Sequence, residues 1–328
     1  TPWLAEREQK CLSFIAQSKA VLKILDGKQT SQLLNVLGAT VHAVLAGAGL
    51  AHVVDLAGGA DGEAREFASA LLHKLASGGD EGAQAAVAGS EAAVGLLVAQ
   101  LGGGNLAEQQ AAAGSLRHVA RFAEARQAMV GCDGVAALVA TAQAKGLDAH
   151  GRREACLALA ALSCAPHSEA VASAGGAEVL IEAVRRDGGG EVAHAAAAAL
   201  EELVVCEAGR AAVLSGGVGP CVGLLQSSQE AVQRHALSIL EHVAAGGDGQ
   251  AAIGEAGGGQ SLVRLACSRD GAVAPAATGI LCRLSERAGE RSSLIASGAA
   301  RPLVGWLGGA DAVRQGRAVA AVRRLSGA

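Results

Sequence analysis

The sequence predicts an all-α protein: a right-handed superhelical solenoid of about seven three-helix repeats, preceded by a degenerate N-terminal helical unit. Three observations predict it. A large aliphatic residue closes an Ala-rich stretch seven times, at Leu75, Val119, Leu162, Leu203, Val243, Leu284 and Leu325, in steps of 44, 43, 41, 40, 41 and 41 residues. A near-constant period of this length marks stacked helical repeats, each unable to bury its apolar face alone. The chain is 51% hydrophobic, yet aromatic residues make up 2% and Tyr is absent. Its apolar mass is Ala, Val and Leu; Ala is the strongest helix former, and the β-branched and aromatic alternation of strands is missing. Finally, the 46 glycines gather in turns, where consecutive glycines end a helix at little steric cost.

In chain order, helices are expected near residues 2–25 and 28–37, forming a degenerate capping unit over 1–47. A single continuous array over 48–328 follows. The middle repeat shows the layout. Ser173–Ala177 (SAGGA) is a turn, and Glu178–Arg186 (EVLIEAVRR) is a helix with apolar residues at 179, 180, 181 and 184. Asp187–Gly190 breaks it, and Glu191–Val205 is a longer helix whose apolar positions reach Leu200, Leu203 and Val204. Glu207–Ser215 (EAGRAAVLS) is a short helix feeding the next Gly-Gly pair. Pro220 and Pro302 fall in the first turn of a second helix, where a missing N–H costs nothing. Pro275 falls near the start of the sixth long helix. The last helix, 311–325, carries Arg314, Arg317, Arg323 and Arg324, which supply the polar face a terminal repeat needs.

These motifs resemble the armadillo-repeat family, whose signature is a short helix, then G-[AG]-hydrophobic-P-x-L-V, then a long helix. Gly217–Leu225 (GVGPCVGLL) and Ala299–Leu307 (AARPLVGWL) match it, Pro included; Gly134–Val139 and Gly258–Val263 match without Pro. The resemblance covers residues from about 40 to 328. It implies that the long helices line a concave, partner-binding groove. Import receptors of this family place a ladder of Asn there, with Trp one turn earlier. At the Asn-equivalent positions this chain has Lys74, His118, Ala161, Glu202, His242, Arg283 and Arg324, and at the Trp-equivalent positions Ala70, Gly114, Leu157, Ala198, Ser238, Gly279 and Ala320. That replacement disfavours import-receptor function. The groove residues singled out as partner-binding are Lys74, His118, Glu202, His242, Arg283, Arg323 and Arg324.

No catalytic, cofactor-binding or metal-ligating set emerges. The clusters Gly47–Gly49, Gly102–Gly104 and Gly257–Gly259 lack the preceding strand and the following Lys-Ser/Thr of a phosphate loop. His73, His118, His194, His235 and His242 are isolated, without H-E-x-x-H, so a di-iron centre of the deoxyhypusine hydroxylase kind is not expected. No G-x-S-x-G elbow occurs, and the local pair Cys164–His167 has no orienting third group. The eight cysteines (Cys11, Cys132, Cys156, Cys164, Cys206, Cys221, Cys267, Cys282) form no C-x-x-C pair and read as reduced, mostly buried thiols of a reducing, cytoplasmic compartment. No stretch is long and apolar enough for a membrane span. The chain begins at Thr1 rather than Met, so an upstream piece is expected, and no secretory signal is visible.

The net charge of −4 is unevenly distributed: residues 166–259 carry 4 basic and 12 acidic side chains, residues 260–328 carry 10 and 4. A basic end of this kind steers an acidic partner electrostatically. With so few aromatic rings to stack bases, nucleic-acid binding through the Arg-rich end is a lesser alternative. The expectation is a non-enzymatic protein–protein interaction scaffold, a structural or adaptor subunit of a larger multi-subunit assembly; a transient adaptor or chaperone cofactor is the other protein-binding alternative. The Ala/Gly/Arg-rich composition resembles proteins of GC-rich eukaryotes such as green algae, where armadillo-only proteins serve as flagellar subunits, which implies a ciliary or flagellar location.

Overall fold

The computed structural model describes residues 49–59, 62–164, 166–268, 270–308 and 312–327. The expected capping unit over 1–47 lies outside them. Every regular element among the described residues is helical. The chain forms two compact units, Thr1–Ala161 and Leu162–Ala328.

In the first unit, α1 (Gly49–Ala57) and α2 (Gly62–Ser77) are followed by two three-helix repeats: α3 (Glu81–Ala88), α4 (Glu91–Gly103) and α5 (Leu106–Val119), then α6 (Ala123–Gly131), α7 (Gly134–Gln143) and α8, which starts at Ala149. The helix starts are written locally. The Asn105 side chain accepts from the Glu108 N–H while the Glu108 carboxylate accepts from the Asn105 N–H, a reciprocal cap that fixes α5. Asp80 caps α3 in the same spirit, accepting from Gly82 and Ala83. Second helices pack on second helices (α1 on α4, α4 on α7) and third on third (α2 on α5), with α4 also packed along α5. The core lies between these two layers.

The second unit repeats this plan four times. Its elements are α9 (Ser168–Ser173), α10 (Gly176–Asp187) and α11 (Glu191–Leu203); α12 (Glu207–Ala212), α13 (Val218–Leu224) and α14 (Glu230–Val243); α15 (Gly247–Glu255), α16 (Gly258–Ala266) and α17 (Val273–Leu284); and α18 (Ala288–Ala296), α19 (Ala300–Gly305) and α20 (Ala312–Ser326). The third helices α11, α14, α17 and α20 pack each on the next. All seven anchor residues are buried, from Leu162 and Leu203 at 0% exposure to Leu325 at 6%.

The turn between first and second helices uses two residues with separate tasks. Gly175 adopts φ +83°, a conformation L side chains rarely take. Gly176 then packs so tightly that a Cβ would lie 2.7 Å from both the Val171 side chain and its carbonyl oxygen. At the equivalent Ser215–Gly217 the sequence implied the same break, and the structure differs. A π-helical turn, Val213–Gly217, carries α12 directly into α13. No residue there has positive φ. Gly217 sits so close to α10 that a Cβ would lie 3.0 Å from the Ile181 side chain. The carbonyl of Gly216, which Pro220 cannot bond, instead accepts from the Arg185 guanidinium at 3.3 Å. Pro275 and Pro302 are each the third residue of their helices, α17 and α19, as expected.

Candidate partner-binding face

The third helices set out their side chains by a simple rule of register. The anchor is buried, and the residue just before it is open. Lys74, Glu202 and His242 are exposed, and His118, Arg283 and Arg324 are half-buried. Four residues earlier the small side chains of Ala70, Gly114, Ala198, Ser238, Gly279 and Ala320 are likewise exposed or half-buried. The residues chosen from the sequence therefore lie on the accessible side of the third-helix layer in their respective units.

Their partners differ. The Nδ1 of His242 lies 2.9 Å from the Ser238 carbonyl oxygen one turn back. His118 sits 2.8 Å from an Arg117 amino group; burial, then the adjacent Arg117 charge, holds its pKa below the usual imidazole value. Arg283 donates to the Glu241 backbone carbonyl at 3.3 Å and approaches the Glu241 carboxylate at 3.6 Å. Arg324 lies 3.7 Å from the Glu286 carboxylate. Two of the three arginines singled out as grips for a foreign carboxylate thus already face one inside the chain, and Arg323 is exposed.

The residue two before the anchor is the one sequence reasoning passed over. It reaches forward to the next third helix. His73 Nδ1 meets Ser115 Oγ at 2.9 Å, Arg117 Nε meets Glu154 Oε2 at 2.5 Å, Glu201 meets His235 Nδ1 at 2.5 Å, and Glu241 meets Arg283 as above. The contact between Glu201 and His235 holds the Glu201 carboxyl below the usual carboxylate range. Glu154 is the deepest of the charged groups, its side chain 4% exposed, with Arg153 at 3.1 Å on its other oxygen. Gly114 faces it across the joint, where a Cβ would lie 3.9 Å from Glu154 Oε2, an ordinary contact.

At the α17–α20 end of the second unit, small residues open two adjoining hollows of about 360 and 500 Å³. They meet at Gly279, Cys282 and Arg317. Trp306 and Pro275 wall the first; Arg283, Arg324 and Glu286 border the second. Burial pushes the Cys282 thiol up to about 11, so it is a neutral wall rather than a nucleophile. No group of three or more metal-ligating side chains comes together among the described residues. Cys132, Cys206, Cys221, Cys267 and Cys282 are free thiols.

Repeated helix triplets with a buried anchor and an open neighbour define an α-helical repeat protein. No protein-family model matches the chain, and no curated protein matches it. Solved structures do. An engineered protein from the Northeast Structural Genomics Consortium superposes with TM-score 0.72 at 30% identity, covering 89% of this chain and 71% of its own. A second engineered protein from that consortium gives 0.60 at 31% identity, covering 71% and 96%. A designed armadillo repeat protein in complex with the peptide (KR)4 gives 0.58 at 22% identity, covering 71% and 99%. The fold of the chain is that of armadillo-like repeat proteins.

Proposed function

We propose that this chain is a non-enzymatic protein-interaction scaffold, a structural or adaptor subunit of a larger assembly, that binds a protein partner along its third helices. The observation that carries it is the register just described: an unbroken rule of buried anchor followed outward by an accessible position, repeated in each unit. Residues at equivalent repeat positions act together on whatever lies along them. The designed armadillo repeat protein solved with a (KR)4 peptide supports a peptide-like ligand for such a fold. The excess of arginine over residues 260–328 favours acidic segments in the partner. The free thiols support a reducing intracellular location, and the composition resembling flagellar armadillo-only proteins supports a cilium or flagellum.

Crosslinking mass spectrometry on the complex isolated from its native source tests this reading. Crosslinks from the partner are expected at and beside Lys74, Glu202 and other third-helix positions. Crosslinks confined to the second helices, α4, α7, α10, α13 and α16, would overturn it.

A further inference from the structure

The hollows at the α17–α20 end hold an arginine whose charge no carboxylate among the described residues answers. Around them stand Arg283, Arg317 and Arg324, against Glu241 and Glu286. The two carboxylates are taken: Glu241 by Arg283 and Glu286 by Arg324. Arg317 is exposed, lines both hollows and makes no ion pair with any described residue. Beside it the floor is bare. A Cβ built on Gly279 or on Gly316 would meet nothing within 4 Å. Trp306 and Pro275 add an apolar wall at one side.

A guanidinium at the mouth of a partly apolar recess discriminates by geometry as well as by charge. Its fork accepts a carboxylate through two parallel N–H donors, and an apolar side chain next to that carboxylate fits the recess beside it.

We propose that this site takes a short acidic–apolar motif of a partner peptide, with an Asp or Glu carboxylate on Arg317 and the neighbouring apolar side chain seated over Gly279 against Trp306 and Pro275. The assignment rests on the scaffold reading above and names the chemistry it selects. Arg283 and Arg324 serve as walls kept in place by their own carboxylates, and Arg317 is the contact.

The test is fluorescence anisotropy on the full chain with labelled Ser-Gly peptides carrying a central Asp-Leu-Glu, Asn-Leu-Gln or Lys-Leu-Lys, and with labelled oligothymidylate. The Asp-Leu-Glu peptide is expected to bind at least about tenfold more tightly than the other two peptides and to weaken with added salt. Arg317→Glu should abolish that binding. Arg317→Lys, which keeps the charge and loses the fork, should weaken it several-fold. Gly279→Leu fills the recess without touching Arg317 and should weaken it by about tenfold, with unchanged circular dichroism showing that the variant is folded. Equal affinity for the three peptides, or an Arg317→Lys and Gly279→Leu pair that both bind as the parent does, would overturn the proposal. So would Arg317-dependent capture of oligothymidylate in place of the peptide. Native-partner crosslinks on third helices away from α17 and α20, with Arg317→Glu retaining the partner, would remove this site and leave the scaffold reading standing. Crosslinks confined to the second helices would remove both.

Discussion

Leu203 is wholly buried between α11 and its neighbours. Truncation to Ala removes its methyl groups and leaves a cavity that close-packed helices only partly refill, a cost of about 2–5 kcal/mol. Urea denaturation followed by circular dichroism should show the second unit's transition shifted accordingly; a shift below ~0.5 kcal/mol would contradict the register described above. His73 makes a different kind of prediction. Ser115 donates its hydroxyl to the Ala111 carbonyl, so it accepts from His73, which must carry its proton on Nδ1. Burial, opposed only in part by the Glu108 charge, lowers the His73 pKa from 6.5 to about 4. Between those values the unfolded chain holds a proton that the folded chain lacks. The stabilisation is therefore full above pH 6.5 and drains away as the pH falls towards 4. Its size is of the order of 3 kcal/mol. His73→Gln keeps a donor towards Ser115 and cannot titrate. The acid slope of stability should flatten in that variant, and an unchanged slope would refute the assignment.

Individual elements show where the sequence was readable and where it was not. The anchors were readable because a large aliphatic at constant period has one physical use. The Gly-Gly turns were readable for the same reason, except at Ser215–Gly217, where the close approach of Ile181 and the Arg185 bond to the Gly216 carbonyl favour a π turn. Both contacts come from the preceding repeat, about thirty residues upstream, so no local pattern announces them. The positions just before the anchors prove accessible, yet which arginines are committed was hidden. Arg283, Arg317 and Arg324 look alike in sequence, and only the stacked helices bring Glu241 and Glu286 to two of them. Glu154 was hidden for the opposite reason, since Arg152-Arg153-Glu154 reads as a solvated helix face. Glu154→Ala should destabilise the first unit. A fully buried pair broken on one side costs roughly 3–5 kcal/mol; here about 2–3 kcal/mol is expected, because Arg117 and Arg153 keep about a third of their side-chain surface in water. A thermal or urea transition unmoved by that change would show that the cluster contributes no stability.

At the scale of the whole molecule, stability in a repeat array is close to a sum of repeat terms and nearest-neighbour terms. Protection should therefore vary along each unit. The anchors of α11, α14 and α17 are at most 1% exposed, while Leu325 on α20 is 6% exposed and Val319 on the same helix is 54% exposed. Hydrogen exchange followed by mass spectrometry should show amides of α14 exchanging more slowly than those of α20. Uniform rates across the second unit would indicate a single cooperative block instead.

The forward-reaching side chains have a mechanical consequence. Along each unit the joints between third helices are latched by several kinds of chemical pair: imidazole to hydroxyl, guanidinium to deeply buried carboxylate, carboxylate to imidazole, and, at the last two joints, carboxylate to a half-buried guanidinium. Latches of unlike chemistry have unlike compliance. A body jointed in this way flexes unevenly under load, yielding first where the latch is wettest and longest, between α17 and α20, and last where Glu154 is gripped. Stiffness is thereby set one joint at a time, and a single substitution can move the point of bending without altering the fold.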